Sequence, residues 1–266
     1  MPRIVKQLPS IANVAANASV VLNCPVGLTY EKITFVQGGT AFTRAQMTNI
    51  EVKVNGKSIQ SYLDGTELDE INDYYGRADT ANYLTLHFNR PELRDLVQSR
   101  LTALGTADVQ TLTVELDITG ATAPTLKAFA VLREPEPLGL ITKVKAFPVT
   151  FATAGKQDID SIPGNGPRIA AMHLFKSDVS DVEVEVDSIK VVDASKTEGE
   201  VIQKEAMPVA RVPQTAVATH IDFLLDGDTA QALVTKGVQD LRVRPTLTTS
   251  GAVRAVVEYL DGFGGI

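Results

Sequence analysis

The sequence is poor in residues that support catalysis, metal binding or covalent cross-linking. Cys24 is the only cysteine, so an intrachain disulfide and a cysteine metal cluster are excluded. The three histidines, His87, His173 and His220, lack the H-x-H or H-E-x-x-H spacing of a metal site. His220 and Asp222 share a strand face, a pattern that is more often structural than catalytic. With no G-x-S-x-G motif either, we predict no catalytic residue, no cofactor-binding residue and no enzyme activity.

Clustered basic residues and long apolar runs are also missing. The chain carries 25 Lys and Arg against 32 Asp and Glu, for a formal net charge of −7. Because binding to a phosphate backbone requires clustered Lys and Arg, we expect no direct contact with nucleic acid. No stretch reaches the roughly 18 apolar residues of a membrane span, and residues 1–10 lack the apolar core of a signal peptide. We expect a globular protein that folds in a reducing cytoplasm.

Short segments in which apolar and polar residues alternate are abundant. Such alternation predicts strands that place one face in a core. Two series of these segments are separated by residues 133–137, whose two prolines interrupt strand pairing. A chain of 266 residues suits two domains of common size, which we place at residues 1–136 and 137–266. The composition and the pattern together predict an all-β protein.

The two series repeat each other in order, which indicates an internal duplication. The segment 50–60, IEVKVNGKSIQ, resembles the segment 182–192, VEVEVDSIKVV. Seven matched features keep the same order along the chain, and a duplication must be collinear in this way. We therefore predict two tandem jelly-roll β-sandwiches of about eight strands each. The alternative, that any two β-domains share alternating valines, stays open at this point.

Each half also carries one helix candidate, inserted between strands at a corresponding place. The segment 89–105 opens with the capping pair Asn89 and Glu92, followed by an apolar stripe. The segment 228–237 opens with Asp228 as a cap and repeats the stripe. The prediction is thus one short helix in each jelly roll.

Two long polar segments, 61–83 and 194–216, are predicted to be loops. Loops of this length often form binding surfaces or lids. The first contains four tyrosines that suit either stacking on a sugar or a contact between subunits, namely Tyr62, Tyr74, Tyr75 and Tyr83. A sugar- or receptor-binding β-sandwich module is therefore the alternative function.

Acidic residues cluster in three places, and calcium takes oxygen ligands from irregular loops. The clusters are Asp64, Glu67, Asp69, Glu70 and Asp73, then Asp178 and Asp181, then Asp226 and Asp228. None has EF-hand spacing, and acidic loop residues more often form a solvated face. The metal-binding residues, if the protein has any, stay unknown from the sequence.

Five strings spread over nearly the whole chain resemble one known family. They are IANVAANASVVLNCPVGLTYEKI, LHFNRPELRDLVQSRLTALGTADVQTLTVELDI, GPRIAAMHL, IDFLLDGDTAQALVTKGVQDLRVR and VVEYL. The chain resembles the double jelly-roll major coat proteins of tailless, membrane-containing bacteriophages, and among them the corticovirus coat protein most. These strings support homology and do not form a chemical motif.

This resemblance implies a structural major capsid protein. Three chains would form a homotrimer with six similar lobes, and such pseudo-hexameric capsomers would tile an icosahedral shell over an internal membrane. The implied partners are neighbouring capsomers, other virion proteins and the nearby inner viral membrane, in a virion assembled in the bacterial host cytoplasm. The family is also associated with calcium, although no ligand set here matches residue by residue. Arg3 and Lys6 make the amino-terminal segment our candidate arm toward anionic lipid headgroups.

Overall fold

A computed structural model describes residues 3–78, 80–164 and 166–265 of the chain. Within these residues, the first lobe has eight strands, which are β1 (Ile4–Gln7), β2 (Ala18–Cys24), β3 (Thr29–Thr40), β4 (Met47–Val54), β5 (Lys57–Asp64), β6 (Tyr83–His87), β7 (Leu112–Ile118) and β8 (Ala123–Arg133). They form one sheet in the order β1-β8-β3-β6 and a second in the order β5-β4-β7-β2. This is the strand order of a jelly roll.

The second lobe repeats the arrangement. Its strands are β9 (Ile141–Phe151), β10 (Gly155–Lys156), β11 (Arg168–Phe175), β12 (Val179–Val186), β13 (Ile189–Ser195), β14 (Ala218–Asp222), β15 (Leu233–Val234), β16 (Leu241–Leu247) and β17 (Gly251–Asp261). They pair in the orders β9-β17-β11-β14 and β10-β16-β12-β13, while β15 pairs with β11. The predicted all-β fold of two tandem jelly rolls is confirmed.

Helices are short and lie between strands. They are α1 (Gly65–Tyr74), α2 (Leu96–Arg100) and α3 (Lys196–Lys204), with 3-10 turns at Arg44–Gln46 and Thr229–Gln231. α1 follows β5 in the first lobe and α3 follows β13 in the second, so these helices also occupy corresponding places. No helix in the described ranges is long and apolar enough to cross a membrane.

The helix predicted at residues 89–105 begins later than expected. Its only regular turns follow Asp95, whose side chain accepts the backbone N–H of Gln98 at 2.8 Å. The residues before it run irregularly because Arg90 and Glu92 are buried between the lobes. The predicted start at Asn89 is wrong, since a long-range contact overrides the local capping pattern.

The predicted second-half helix is reduced to a single turn. Asp228 caps it as predicted, and its side chain accepts the backbone N–H of Ala230 at 2.9 Å. The turn ends at Gln231 because Leu233–Val234 pairs with β11. The predicted continuation to residue 237 is therefore wrong.

The segments 61–83 and 194–216 are not simple loops, and that prediction is also wrong. They contain α1 and α3, and each helix opens with a capping pair that the sequence displays. The backbone N–H of Leu63 donates to Glu67, one turn after the cap Asp64, at 2.8 Å. At α3 the backbone N–H of the cap itself, Ser195, donates to Glu198 at 2.9 Å, which completes a capping box.

The two strings 50–60 and 182–192 form matching hairpins. Both central turn residues have positive φ in each hairpin, at Asn55 and Gly56 and again at Asp187 and Ser188. Asn55 Oδ1 accepts the backbone N–H groups of residues 110 and 111 at 2.9 and 3.0 Å. Asp187 Oδ1 accepts those of residues 239 and 240, both at 2.9 Å. The duplication thus extends to the individual hydrogen bonds of the turns.

Each lobe has its own core, and one strand separates them. On β17, Val256 packs with the first-lobe core while Val257 packs with the second-lobe core. Gln60 of β5 pairs in parallel with Val144 of β9, which joins one sheet from each lobe into a continuous sheet. Cys24 is buried in the first core as predicted, and burial raises the pKa of its thiol to about 12.

The terminal segments lie against the first lobe. Residues 4–7 form edge strand β1 beside β8, and Arg3 pairs with Glu31 at 3.1 Å. A role of Arg3 and Lys6 toward lipid headgroups stays a prediction. Residues 1 and 2 of that predicted arm lie outside the described residues. Near the other end, Phe263 packs against the first-lobe core and its carbonyl accepts a hydrogen bond from Lys57 Nζ at 3.3 Å.

The matching turns give a stability prediction. Replacing Ser188 (φ 70°) by glycine relieves a left-handed conformation that is costly for a residue with a Cβ, and raises the free energy of unfolding by about 0.5–1 kcal/mol. The reverse control, Gly56→Ser (φ 80°), lowers it by a similar amount. Urea unfolding measures both changes. A loss of stability in Ser188→Gly would contradict the equivalence of the two turns.

Candidate functional site

The most unusual site in the molecule is a buried polar cluster between the two lobes. One face of the β9-β17-β11-β14 sheet points away from the second-lobe core and carries His173, His220, Asp222 and Glu258. Strand register places His173 between His220 and Val256, and Ala171 between Asp222 and Glu258. Tyr74 and Tyr75, at the end of α1, cover this face from the first lobe and are themselves fully buried.

Glu258 is the centre of the cluster. Arg90 of the first lobe donates from Nη1 to Glu258 Oε2 at 2.6 Å, and from Nη2 to the Tyr75 hydroxyl at 2.9 Å. The Tyr75 hydroxyl in turn donates to Glu258 Oε2 at 3.1 Å. Burial alone would raise the carboxyl's pKa, but Arg90 and the hydrogen bond from His173 hold the pKa of Glu258 well below its usual range. Glu258 is therefore a carboxylate held by both lobes.

Hydrogen-bond geometry fixes the tautomers of the two histidines. The backbone N–H of Gln214 donates to His220 Nε2 at 3.2 Å, so the proton of neutral His220 lies on Nδ1. His220 Nδ1 lies 2.7 Å from His173 Nδ1 and donates to it. The His173 proton is then on Nε2, which is 3.3 Å from Glu258 Oε1. A continuous line of donors runs from Gln214 to the buried carboxylate.

Burial also decides the charge of His220. Its pKa lies well below the ordinary histidine value because of burial, with His173 and Lys196 acting in the same direction and Glu258 opposing them. The Tyr74 ring stacks on it at 4.1 Å between ring centroids. His220 is therefore neutral, as its acceptance of a backbone N–H also requires.

A second buried ion pair lies beside the histidines. Arg211 Nε donates to Asp222 Oδ2 at 2.7 Å, and both side chains are fully buried. The backbone N–H of Leu224 donates to the other oxygen, Oδ1, at 2.7 Å. Tyr74 adds a longer hydrogen bond to Asp222 Oδ2 at 3.4 Å. Helix α1 thus contacts both carboxylates of the second-lobe sheet.

The cluster is a joint and not a substrate pocket. The cavity left within it has a volume of about 10 Å³ and is lined by residues of both lobes, among them Gln60, Ile71, Val144 and Glu258. This is at the lower limit of the space that one water molecule needs, on the order of 10–15 Å³. The chemistry of the site is the mutual neutralisation of buried charges, which fixes how the two lobes fit together.

The sequence did not single out Arg90, Arg211 or Glu258. Arg90 and Glu258 are 168 residues apart, so no local pattern connects them. The sequence does carry one signal, because Glu258 interrupts an otherwise apolar run from residue 255 to residue 260 in the strand that separates the two cores. His220 and Asp222 share the buried face, as the sequence indicates.

The structure corrects the interpretation of the tyrosines. Tyr62, Tyr74 and Tyr75 are buried, with exposed fractions of 5% or less, and none can stack on a sugar or contact another subunit. Tyr83 alone among the four is on the surface, with 39% of its area exposed. The tyrosine-based argument for a sugar-binding module is therefore wrong.

The acidic clusters do not assemble a cation site within one chain. In the described ranges, no group of three or more His, Cys, Asp and Glu residues is placed to hold a metal ion. Asp64 and Asp228 are helix caps, and Glu67 accepts a hydrogen bond from Arg254 Nε at 2.6 Å. Asp178 pairs with Lys176 at 2.8 Å. These donor sets do not fit a calcium ion bound by a single chain.

The apolar stripe of the first-half helix is only partly in a core. Leu93 and Leu104 are buried in core clusters. Leu96, Val97 and Leu101 are all exposed to solvent. Together with Arg100, Arg133 and Glu136 they line a shallow surface groove of about 330 Å³. Monomeric proteins rarely expose large apolar clusters, so a cluster of this kind indicates a surface that contacts another molecule.

Two histidines that are neutral in the folded chain predict a loss of stability in acid. His220 and His87 both have folded-state pKa values well below the ordinary histidine value, chiefly because of burial. The unfolded chain therefore binds protons near pH 6.5 that the folded chain does not bind. The stabilisation is complete above that pH and falls by up to about 1.4 kcal/mol per histidine for each pH unit below it.

Urea unfolding between pH 7.5 and pH 5.5 measures this slope. The variant His87→Phe removes one of the two titrating groups, and we expect it to reduce the slope by about half. A free energy of unfolding that stays constant across this range would contradict the assignment of His220 and His87 as neutral in the folded chain.

Comparisons with known proteins give a consistent result. The family model described as "Viral coat protein P2 N-terminal domain" matches residues 5–133. The model described as "Viral coat protein P2 C-terminal domain" matches residues 141–263. The two models together span most of the chain.

Individual proteins agree with the family models. The chain is 33% identical over 261 residues to the major capsid protein P2 of Pseudoalteromonas phage PM2, and the match covers 95% of each chain. The crystal structure of P2 from bacteriophage PM2 superimposes with a TM-score of 0.92 at 30% identity, over all of both chains. The major capsid protein in the STIV crystal structure has a TM-score of 0.70 at 12% identity, with 97% of each chain covered, and shows that the fold is shared. The chain belongs to the viral coat protein P2 family.

Proposed function

We propose that three copies of this coat protein form a capsomer whose six lobes tile an icosahedral shell. A capsid protein is a structural component and not an enzyme, and the relative in phage PM2 is a major capsid protein. The observation that carries the trimer is the duplication: two lobes of one strand order stand side by side in each chain. Three such chains give six similar lobes, which suits a near-hexagonal lattice.

The rigid joint between the lobes supports this role. A tile must present its contact surfaces at a fixed angle, and a buried network has its hydrogen bonds satisfied in only one arrangement. Arg90, Tyr75 and Glu258 connect the lobes in such a network. The parallel pair of Gln60 and Val144 fixes the same angle through the backbone.

The surroundings of the shell are part of the proposal. We place an internal membrane beneath the capsomers, with neighbouring capsomers and other virion proteins as partners, and assembly in the cytoplasm of a bacterial host. The net charge of −7 supports an arrangement in which the coat does not touch the genome directly. The exposed apolar groove at α2 supports a contact with a neighbouring protein.

The trimer is tested by the mass of the purified protein. Multi-angle light scattering should give three times the chain mass of 28.5 kDa at micromolar concentration, and micrographs of particles should show capsomers with threefold symmetry. Subunits that form a permanent shell bury large interfaces, so the trimer should persist on dilution. A strictly monomeric protein at high concentration, together with particles that lack trimeric capsomers, would refute the proposal.

Calcium stays a prediction that only the family resemblance supports. Because the described residues of one chain include no group of three or more His, Cys, Asp and Glu residues placed to hold a metal ion, we expect any bound calcium to take ligands from more than one chain. Chelation should then dissociate the shell or lower its melting temperature, because a ligand that binds only the assembled state stabilises that state. Identical melting of the shell with and without chelator would count against calcium.

A further inference from the structure

The duplication gives every surface of one lobe a counterpart on the other. The hairpin of β4 and β5 and the hairpin of β12 and β13 contain the same kind of bulge, directly after Val52 in the first and directly after Val184 in the second. The residue paired with Val52 is Gln60, and the residue paired with Val184 is Val192. Gln60 and Val192 are therefore equivalent positions on equivalent strands.

The same reasoning relates β9 to β1. In the second lobe, the first pair after the bulge in β11 joins Ala171 to Glu258, and Glu258 pairs with Val144 of β9. In the first lobe, the first pair after the bulge in β3 joins residue 32 to Val131, and Val131 pairs with Val5 of β1. Val144 and Val5 are thus equivalent.

Within the chain, the strands β5 and β9 pair in parallel through Gln60 and Val144. Their counterparts β13 and β1 are edge strands, and among the described residues no further strand pairs with their second edges. An exposed edge carries unpaired backbone groups that are ready to bind another strand. The contact equivalent to the β5–β9 pair would therefore use β13 of the second lobe and β1 of the first lobe, which do not meet within one chain.

Apolar side chains on β1, β13 and the neighbouring helix α3 are exposed, whereas the equivalent side chains on β9, β5 and α1 are buried at the junction of the lobes. The exposed fractions are 43% for Val191, 67% for Val5 and 55% for Ile202, against 0% for Ile59, 2% for Val144 and 2% for Ile71. Such exposure is the pattern expected of a contact surface seen without its partner.

The cavities follow the same rule. The closed cavity at the lobe junction, of about 10 Å³, is lined by Gln60 and Ile71 among others. Ile71 and Ile202 are equivalent because each lies seven residues after the cap of its helix, Asp64 in α1 and Ser195 in α3. Val192 and Ile202 line an open groove of about 390 Å³ under α3. Residues of the second lobe close the first cavity, while the described residues leave the second one open.

We propose that a second copy of this chain completes the groove, with β1 of that copy adding in parallel to β13 and with Val5 opposite Val192. This inference rests on the proposed trimer and names the contact that builds it. The surfaces involved are different on the two chains, so the interface is heterologous, and three repeats close a ring. The four-stranded sheets of neighbouring chains then become continuous, as two sheets already are within each chain.

The contact between copies differs from the contact within the chain in its chemistry. Glu258, the buried carboxylate of the internal joint, corresponds to Val131, and by the same register His173 corresponds to Thr34. No charge therefore replaces Glu258 at the equivalent position of the contact between copies. We expect this contact to depend on apolar burial and backbone pairing.

Disulfide trapping tests the strand pairing. The double variant Val5→Cys with Val192→Cys places two thiols on directly opposed strand positions, where Cα atoms are about 5 Å apart and a disulfide is allowed. Mild oxidation with copper phenanthroline should give reducible covalent species of two and three chains on a denaturing gel, and none larger, because the ring closes. Cys24 does not compete, since burial raises the pKa of its thiol to about 12.

Three controls make the result decisive. Each single variant should give no trimeric band, and neither should Val192→Cys combined with Val234→Cys, which puts the second thiol on an exposed valine of another surface. Trimers by light scattering without cross-linking of the double variant would overturn the pairing and leave the trimer intact. Dimers from Val5→Cys alone would instead show two β1 edges in contact and overturn it. A protein that is monomeric throughout would refute the trimer and the pairing together.

Discussion

The arrangement of the two lobes depends on a pair of buried charges at their junction, since each sandwich already has a core of its own. Glu258 and Arg90 come from different lobes and lie 2.6 Å apart with almost no exposure. Removing one partner of such a pair leaves an uncompensated buried charge, at a cost of about 3–5 kcal/mol. The intact pair adds little net attraction, because the cost of taking both charges out of water offsets their attraction for each other. What the pair imposes is a strict geometry. Apolar packing alone would tolerate some sliding of one lobe on the other, whereas the carboxylate is satisfied only where Arg90, Tyr75 and His173 meet.

The sequence predicts the features that each lobe determines for itself. Strand alternation reflects burial against a local core, so it identifies most strands, and the turn at Asn55 and Gly56 is recognisable from its residues alone. The collinear repeat then predicts the tandem jelly rolls. The boundary between residues 136 and 137 stays a prediction. What the sequence predicts poorly is the joint, because Tyr75 and Glu258 are 183 residues apart.

The same limit explains the misplaced helices and the misread tyrosines. The helical pattern after Asn89 is real, but Arg90 is held by Glu258 of the other lobe and the chain cannot also form a helix there. Tyrosine in a polar segment suggests exposure, yet Tyr74 and Tyr75 lie on a helix that the second lobe covers. The capping pairs at Asp64 and Ser195 were the local signals that would have placed α1 and α3. For Asn89 and for these tyrosines, the contact with the second lobe overrides the local pattern. The second-half helix is shortened instead inside its own lobe, where Leu233–Val234 pairs with β11.

The continuous sheet that crosses the molecule has a mechanical consequence. Backbone pairing of Gln60 with Val144 is extended by side chains, since Gln60 Nε2 donates to the carbonyl of Thr142 at 3.2 Å and Lys145 Nζ to that of Ser58 at 2.8 Å. A force that pulls the lobes apart must therefore break these hydrogen bonds in addition to stretching the segment that connects β8 to β9. A shell built from such units would resist internal pressure through many hydrogen bonds that act in parallel across each unit, in addition to the covalent chain.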